Sequence, residues 1–412
     1  MRFLRLFPVY LVVFTGFVGY SMMIAVFTPM FLHGYGRLIS PNAGTGLKTS
    51  ILGVVLCMYP LGQFLSAPPI GALSDKYGRR RVLLVSLILS IGCYCLIASA
   101  IASENLWLLI IALLAAGLSE GNIVIAQSAV SDVSEAIDRG RLFGYIYMSA
   151  SLAYVIGPLV GGKLASPAIV PWFSYITPFW GMLVPLLITW GAVALLFRET
   201  HQTDPAVEIN LTAALGNLFA VIRPTRLRIL YFVNFAFYFG IFGFFRCYPM
   251  YMVDEFRLDV SHVSEFIAWL SVPIIIGSLW LAGLLTAKFP ITTVTAWSGL
   301  LTGVTMILII IPSFPGALWV TLFLVGLPLS VCMAACAAML SISVPAEEQG
   351  RALGNNQALQ VFAESLSGLI GGLVAAVMVK ASLLTMAAFV FAGVALLLFS
   401  ISKKRAQETE AA

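Results

Sequence analysis

The stretch Gly71-Ala-Leu-Ser-Asp75-Lys-Tyr-Gly78-Arg79-Arg80-Arg81-Val-Leu-Leu84 lies between two long apolar runs. It combines two glycines, an acid and a cluster of basic residues. Gly71 lets two helices approach closely, and Gly78 permits a turn that other residues resist. Asp75 lies four residues before Arg79, a spacing at which the two can pair on one helix. Because arginines stay in the headgroup and cytoplasmic layer, the stretch predicts a tight loop at a membrane surface.

The composition is that of an integral membrane protein. Of the 412 residues, 60% are hydrophobic and only 10% are charged, whereas a soluble domain carries roughly 25% charged residues. The net charge of +5 does not indicate a nucleic-acid partner, because the basic residues sit at the ends of apolar runs. The lipid bilayer is the expected surrounding.

No residue pattern indicates an enzyme, a metal site or a cofactor. The six cysteines fall inside apolar runs, which favours packing over disulfide bonds. The three histidines form no ligand pair. The chain has no Walker loop, nucleophile elbow or metal-ligand spacing, so neither catalysis nor ATP hydrolysis is expected.

A membrane-crossing helix needs about 20 mostly apolar residues, and twelve stretches meet this requirement. They cover residues 6–33, 48–73, 82–102, 105–132, 142–166, 172–197, 227–253, 261–286, 291–312, 315–343, 352–379 and 381–402. Seventeen lysines and arginines lie on the side that holds both termini, five lie on the opposite side, and Arg246 lies inside a span. The positive-inside rule therefore predicts cytoplasmic termini, and the expected location is the cell (inner or plasma) membrane.

The longest internal loop, residues 198–226, divides the chain into two halves of six spans. It holds Pro205 and Pro224 with a short amphipathic stretch between them, which predicts a cytoplasmic linker with an interfacial helix. We therefore expect an N-terminal six-helix bundle at 1–197, the linker at 198–226, a C-terminal bundle at 227–402 and a cytoplasmic tail at 403–412.

The halves repeat at a fixed offset of 210 residues. Asp138-Arg-Gly-Arg-Leu-Phe-Gly144 corresponds to Glu348-Gln-Gly-Arg-Ala-Leu-Gly354, and Gly161-Gly162 corresponds to Gly371-Gly372. Five or six matches at one offset exceed what chance pairing produces, so the repeat predicts two related halves.

The opening stretch matches the pattern G-x-x-x-D-x-x-G-R-[RK] and resembles the loop between helices 2 and 3 of the major facilitator superfamily. The resemblance implies an all-α fold of twelve transmembrane helices in two pseudo-symmetric six-helix bundles, with alternating access around a central site. It also implies that Gly71, Asp75, Gly78, Arg79 and Asp132 form a cytoplasmic gate that contacts no substrate. One chain holds both halves, so a monomer is expected to suffice. For the arginines alone, an ordinary positive-inside loop is the alternative.

Span 5 contains Gly157-Pro158-Leu-Val-Gly161-Gly162, which predicts close helix contact and a bend. A packing kink is the simpler interpretation. In its position the string resembles the helix 5 signature of the drug–proton antiporter branch of the superfamily. Arg198-Glu199-Thr200 resembles the Glu-Thr at the end of helix 6 in that branch. These resemblances cover most of the first half, and the second half is recognisable only by its spans and the repeat.

Span 4 departs from that branch. Leu113 stands where the branch usually has an arginine implicated in proton coupling, which puts the usual coupling scheme in doubt. Glu120 follows roughly two turns later, near the expected midplane, among polar residues such as Ser119, Asn122 and Gln127. Glu120 is therefore a candidate for proton coupling or substrate binding.

Two further charged residues are expected inside the membrane. Glu364 lies near the middle of span 11, where a carboxylate costs several kcal/mol and the neutral form is favoured. It is a second candidate for proton coupling or substrate binding, and a protonated structural acid bonded to a neighbouring helix is the alternative. Arg246 in span 7 can bind a substrate carboxylate, pair with Glu364 or Glu120, or extend to the outer surface.

Span 7 is rich in aromatic residues around Arg246. They are Phe235, Phe237, Tyr238, Phe239, Phe242, Phe244 and Phe245. Some of them are expected to face lipid, and the rest to pack in the core or line a cavity for apolar or aromatic ligands.

Three functions remain open at this point. The span 5 and span 6 signatures favour a secondary active transporter that exports a small organic molecule in exchange for protons carried by Glu120 or Glu364. The alternative is an uptake permease, a proton symporter, for an anionic metabolite or amino acid anchored by Arg246. A transporter-like sensor or scaffold is the third, and the two acids near the midplane argue against it.

Overall fold

Apolar helices account for almost all of the described chain. The computed structural model describes residues 2–133, 136–200, 203, 216 and 227–410. Apart from Gly216, the predicted interfacial helix of the linker, between Pro205 and Pro224, lies outside these residues. The helices are Arg2–His33, Thr45–Tyr77, Arg79–Ala102, Leu106–Ser119, Asn122–Val133, Ala136–Leu164, Thr177–Gly181, Leu183–Leu196, Arg228–Phe256, Val260–Ile276, Ala282–Lys288, Ile291–Leu308, Leu318–Ile342, Ala346–Val377 and Val379–Glu410. A π-helical turn, Gly277–Leu281, and a 3₁₀ turn, Pro315–Ala317, complete the order.

Twelve candidate membrane spans are present among the described residues, judged by length and composition. In chain order, spans 1 to 12 are Leu6–His33, Thr45–Tyr77, Arg79–Ala102, Leu106–Val133, Gly144–Leu164, Thr177–Leu196, Arg228–Phe256, Val260–Lys288, Ile291–Leu308, Pro315–Ile342, Ala352–Val377 and Val379–Ser402. The all-α class and the number of spans expected from the sequence are therefore confirmed.

Span 4 is not the continuous helix that the sequence predicts over residues 105–132. One helix ends at Ser119 and the next begins at Asn122. At the break, the Glu120 N–H donates to the Gly117 carbonyl at 3.1 Å, and the Val124 N–H donates to the Gly121 carbonyl at 3.2 Å. These bonds reach back three residues instead of four, which is the tighter 3₁₀ pattern. The break therefore falls on the acid that the sequence singles out.

Span 6 starts later than the predicted residue 172. Its first helix begins at Thr177, and hydrogen-bonded turns precede it. Pro178 occupies the first turn of that helix, where its missing N–H costs nothing and its fixed φ suits helix initiation. The boundary shift is thus explained by proline at the helix start.

The chain forms two compact units. Unit 1 comprises Met1–Gly44, Val54–Leu215 and Leu258–Ala268, and unit 2 comprises Thr45–Gly53, Gly216–Arg257 and Trp269–Ala412. The predicted division into bundles at 1–197 and 227–402 remains a prediction.

Span 7 supplies the aromatic core of unit 2. Five of the aromatic residues named from the sequence are buried, and Phe235 and Phe245 are half-buried. Gly240 explains why: a Cβ there would lie 2.6 Å from the Met386 carbonyl oxygen of span 12. Phe239 lies against Phe389 of span 12, with ring centroids 4.2 Å apart. Span 7 is therefore covered by its helical neighbours over much of its length, whereas Phe232, which is 45% exposed, remains on its surface.

The repeated glycine pairs of the two halves make equivalent contacts. In unit 1, a Cβ at Gly161 would meet Met22 of span 1, and a Cβ at Gly162 would meet Ser264 of span 8. In unit 2, a Cβ at Gly371 would meet Cys247 of span 7, and a Cβ at Gly372 would meet the Gly53 backbone of span 2 at 2.6 Å. The first glycine of each pair therefore contacts corresponding spans, span 1 in unit 1 and span 7 in unit 2. The second glycine contacts spans 8 and 2, which also correspond between the halves.

The repeat also contains two glycines that can serve as experimental controls. A Cβ at Gly144 or Gly354 would meet no atom within 4 Å. We expect Gly372→Ala to cost about 1–3 kcal/mol of stability through overpacking against backbone. Gly354→Ala in the same helix should be neutral or stabilise by up to about 1 kcal/mol, because alanine favours helix.

Thermal unfolding of the purified protein in detergent distinguishes the two variants. The same contrast is expected between Gly162→Ala and Gly144→Ala in span 5. Equal melting temperatures for Gly372→Ala and Gly354→Ala would contradict the close helix contact.

Candidate functional site

Glu120 lies buried in unit 1 at the break in span 4. The residue is 2% exposed, and its carboxyl group lies beside the Tyr59 hydroxyl and the Gln63 side chain of span 2. Its Oε2 accepts no hydrogen bond from the described residues. Gly16 of span 1 makes room for this oxygen, since a Cβ there would lie 3.2 Å from it. No lysine or arginine of the described chain pairs with Glu120, so its charge has polar neighbours but no counter-ion.

A close contact between spans 2 and 4 places these groups together. A Cβ at Gly117 would lie 2.0 Å from the Tyr59 carbonyl oxygen and 3.1 Å from the Gly62 Cα. Glycine at both positions therefore allows the backbones to touch one turn before the break. The Ser90 and Ser119 hydroxyls, 2.9 Å apart, join span 3 to the same region.

Two buried tyrosines, Tyr59 and Tyr94, lie near the carboxyl group, and further tyrosines pack beside Tyr59. The Tyr59 ring stacks on Tyr20 at 5.1 Å between centroids, and Tyr154 meets Tyr20 edge-on at 6.5 Å. Tyr94 is fully buried and places its hydroxyl in the notch left by Gly19. A lone carboxylate with aromatic faces is the chemistry that recognises organic cations. Sequence reasoning missed these tyrosines, although their position inside apolar spans was a signal that could have found them.

Glu364 and Arg246 form a buried ion pair in unit 2. The Arg246 Nη2 donates to the Glu364 Oε1 at 2.9 Å, and the side chains are 1% and 9% exposed. Among the alternatives for Arg246, extension to the outer surface is therefore wrong. The guanidinium is buried, and a carboxylate on span 11 balances its charge in place of water.

A chain of buried amide and hydroxyl groups lies beside span 7 in the same unit. The Asn234 Nδ2 donates to the Asn356 Oδ1 at 2.8 Å, and the Asn356 Nδ2 donates to the Tyr238 hydroxyl at 2.8 Å. Asn234 also reaches the Cys336 carbonyl at 3.3 Å. Sequence reasoning missed Asn234, which lies beside the aromatic run of span 7.

The predicted gate residues Asp75, Arg79 and Asp132 come together in unit 1. The Arg79 guanidinium lies 2.5 Å from the Asp75 carboxylate and 3.2 Å from that of Asp132, and it also donates to the Ser74 hydroxyl. Its side chain is 6% exposed. Gly78 has φ +95, a left-handed backbone that glycine adopts without strain. Arg79 thus connects spans 2, 3 and 4 at one end.

The expected close approach at Gly71 is wrong. A Cβ at this position would meet only Val124, at an ordinary 3.5 Å. The tight contact between spans 2 and 4 lies at Gly62 and Gly117 instead. The spacing of small residues does not reveal which glycine of a helix faces its neighbour.

The end of span 6 joins the Arg79 cluster. The Glu199 carboxylate accepts the backbone N–H groups of Arg79 at 2.9 Å and Arg80 at 3.1 Å. The Thr200 hydroxyl donates to Asp132 at 3.2 Å. A carboxylate at the first N–H groups of a helix satisfies donors that have no partner within the helix. The two separate sequence signatures are therefore one structural cluster.

The span 5 signature packs against span 1. A Cβ at Gly157 would lie 2.6 Å from the Val18 carbonyl oxygen. The Ser21 hydroxyl donates to the Ala153 carbonyl at 3.1 Å, about one turn before Pro158. These contacts match the packing interpretation of the signature and place it on the helix that also carries Gly16.

Comparison with known proteins defines the class. The sequence profile of the Major Facilitator Superfamily matches residues 6–279 and 230–412. This chain belongs to the Major Facilitator Superfamily, a family of membrane transporters and not of enzymes. The family implied by the opening stretch is thereby confirmed.

Several relatives are drug-resistance proteins by name. The class B tetracycline resistance protein of Escherichia coli is 32% identical over 184 residues, 44% of this chain and 44% of that protein. The class H protein of Pasteurella multocida is 36% identical over 155 residues, 38% of this chain and 36% of its own length. These two matches span less than half of the relatives. The quinolone resistance protein NorA of Staphylococcus aureus (strain Mu50) is 23% identical over 400 residues, 96% of each chain.

Solved structures share the fold. A bacterial homologue of the human lysosomal transporter Spinster, in an inward-facing and unoccupied conformation, has a TM-score of 0.75 at 13% identity and covers 96% of both chains. The human organic anion transporter MFSD10 has a TM-score of 0.69 at 18% identity and covers 96% of this chain and 99% of its own. At these identities the likeness concerns the fold alone.

A double-mutant cycle can measure the coupling energy between Arg246 and Glu364. Arg246→Met and Glu364→Leu should each cost about 3–5 kcal/mol, because each leaves one buried charge without its main partner. The double variant should cost less than the sum, and denaturant unfolding of the purified protein measures the coupling.

The exposed pair Lys163–Glu265, at 2.6 Å, is the control. Its side chains are 45% and 35% exposed, so Lys163→Met should cost less than about 1 kcal/mol. Strictly additive effects at Arg246 and Glu364 would contradict a coupled pair.

Glu199→Ala should loosen the start of span 3. Loss of the carboxylate removes an acceptor for two backbone N–H groups, at a cost of about 1 kcal/mol. Hydrogen exchange should then accelerate in the first turn of span 3, and Glu255→Ala, which removes a side chain bonded to Lys380, should leave it unchanged. Exchange that stays slow in Glu199→Ala would show that the carboxylate does not cap this helix.

Proposed function

We propose that this protein is a secondary active transporter that exports a small organic molecule across the cell membrane in exchange for protons. The observation that carries the proposal is the buried Glu120, which has tyrosine and glutamine neighbours but no basic partner among the described residues. An acid without a counter-ion inside a span is costly unless it binds a proton or a cation. Such a group can exchange one for the other.

The proposed cycle gives Glu120 the coupling role. Protonated, the carboxyl group is neutral and its buried position is tolerable. Deprotonated, it attracts a positively charged substrate, whose apolar surface packs on the rings of Tyr20 and Tyr59. Because proton and substrate compete for one carboxylate, binding of either favours release of the other.

Glu364 has a different role in this proposal. Its carboxylate is already paired with Arg246 at 2.9 Å, so a cation would have to displace the guanidinium. The pair holds spans 7 and 11 together, and Glu364 is the second candidate for the coupling acid. The same pairing gives less support to an uptake permease, because Arg246 would have to leave Glu364 before it could anchor an anionic substrate.

The remaining roles follow from the family and the relatives. Because similar proteins are named for resistance to tetracycline and to quinolones, we propose that this protein exports drug-like molecules. We place both termini in the cytoplasm from the distribution of basic residues. In this arrangement Gly71, Asp75, Gly78, Arg79 and Asp132 form the cytoplasmic gate, and the two six-span halves alternate access to the site. A single chain is proposed to function as a monomer.

Proton flux in liposomes tests the proposal. Purified protein should move protons when lipophilic organic cations are added, and Glu120→Gln should abolish this response because glutamine cannot exchange a proton. Glu364→Gln should reduce it less. Glu255→Gln, on an acid paired with Lys380, is the matched control and should keep the response.

Two results would overturn the proposal. The first is drug-evoked proton movement that survives in the double variant Glu120→Gln/Glu364→Gln. The second is a response only to carboxylate compounds that is lost in Arg246→Ala, which would establish the uptake permease instead.

A further inference from the structure

A basic cavity in unit 1 is lined by residues to which the proposed transport cycle gives no role. It encloses about 570 Å³ where the end of span 6 meets the junction of spans 2 and 3. Its lining includes Tyr77, Arg80, Arg81, Leu195, Arg198 and Glu199. Three arginines therefore face one carboxylate across a space large enough for a small ligand.

The acids around this cavity are already engaged. Glu199 accepts the N–H groups of Arg79 and Arg80, and Asp75 and Asp132 both bind the Arg79 guanidinium. Neither Arg81 nor Arg198 has an ion pair with any carboxylate of the described chain. The formal charge of the lining is three positive against one negative, which leaves an excess of two positive charges.

The guanidinium of Arg80 is also partly committed. It donates to the Ala194 carbonyl at the end of span 6 at 2.5 Å. This bond joins the start of span 3 to the end of span 6 and forms one edge of the cavity. Arg81 and Arg198 are then the two cations that remain available to a ligand.

An apolar surface adjoins the charged one. Leu195 lines the cavity and is 86% exposed, and Leu196 beside it is 57% exposed. Tyr77, which is 48% exposed, supplies an aromatic ring with a polar tip. A site with cations and exposed apolar side chains at the end of a membrane span suits a ligand that has an anionic head and an apolar tail.

We propose that this cavity binds the phosphate of an anionic phospholipid headgroup, contacted by Arg81 and Arg198, with the acyl chains along Leu195. Arginine presents a fork of donors that matches phosphate oxygens. Basic pockets between membrane helices on the cytoplasmic side bind such headgroups. The shared chemistry is the phosphate, which could also come from free inorganic phosphate, so the experiment separates the two sources.

The cavity adjoins the predicted gate at Glu199. This residue lines the cavity and also accepts the first N–H groups of span 3, the helix that carries Arg79. A phosphate bound there would lie close to the cluster of Arg79 with Asp75 and Asp132.

Native mass spectrometry of the delipidated full chain tests the assignment. Phosphatidylglycerol, phosphatidylcholine and inorganic phosphate are titrated separately. Phosphatidylglycerol should bind most tightly, and the double variant Arg81→Gln/Arg198→Gln should weaken it by about 30-fold, the effect expected of two arginines near a lipid surface. The control Arg228→Gln/Lys288→Gln changes two exposed basic residues outside the cavity lining and should leave binding unchanged.

Each alternative outcome overturns the headgroup assignment. Equal binding of phosphatidylcholine would remove the requirement for net negative charge. Arginine-dependent binding of inorganic phosphate without phosphatidylglycerol would assign the cavity to a soluble anion. Equal weakening by both double variants would indicate general surface charge. If the melting temperature of the cavity variant is unchanged, its weaker lipid binding does not result from unfolding.

Discussion

A charged side chain inside a membrane span costs several kcal/mol unless a partner compensates it. The described structure meets this constraint in three ways. Arg79 is surrounded by two carboxylates and a hydroxyl at one end of spans 2, 3 and 4. Arg246 is matched by Glu364 across spans 7 and 11. Among the described residues, Glu120 has only uncharged polar neighbours, and its proposed proton exchange rests on this difference.

Glycine contacts determine where these charges can lie. Gly62 and Gly117 let spans 2 and 4 touch, so Tyr59 sits beside the break that carries Glu120. Gly16 leaves room for the carboxylate itself. In unit 2, Gly240 brings span 12 against span 7 and covers the aromatic face. Because a single Cβ would collide with backbone at several of these positions, the acid and its surroundings depend on close helix packing more than on any one hydrogen bond.

The cluster at the ends of spans 2, 3 and 6 shows how distant sequence signatures combine. Glu199 and Thr200 reach the Arg79 cluster from the end of span 6, more than one hundred residues later in the chain. Glu199 accepts the first backbone N–H groups of span 3. Thr200 donates to Asp132, one of the two carboxylates that bind the Arg79 guanidinium. Within the described part of the chain, the side chains of Arg81 and Arg198 have no acidic partner, and both line the basic cavity.

The sequence by itself determined the all-α class, the twelve spans, the family and the repeat of the halves, because hydropathy and glycine spacing are local properties of the chain. It also identified Glu120, Glu364 and Arg246, since any charge within an apolar run is conspicuous. Only the tertiary structure decided which partner Arg246 takes, that span 4 breaks at Glu120, and that Gly62 instead of Gly71 makes the tight contact. The physical reason is that these outcomes depend on the rotation of each helix about its axis, which is determined by packing against helices far away in the sequence.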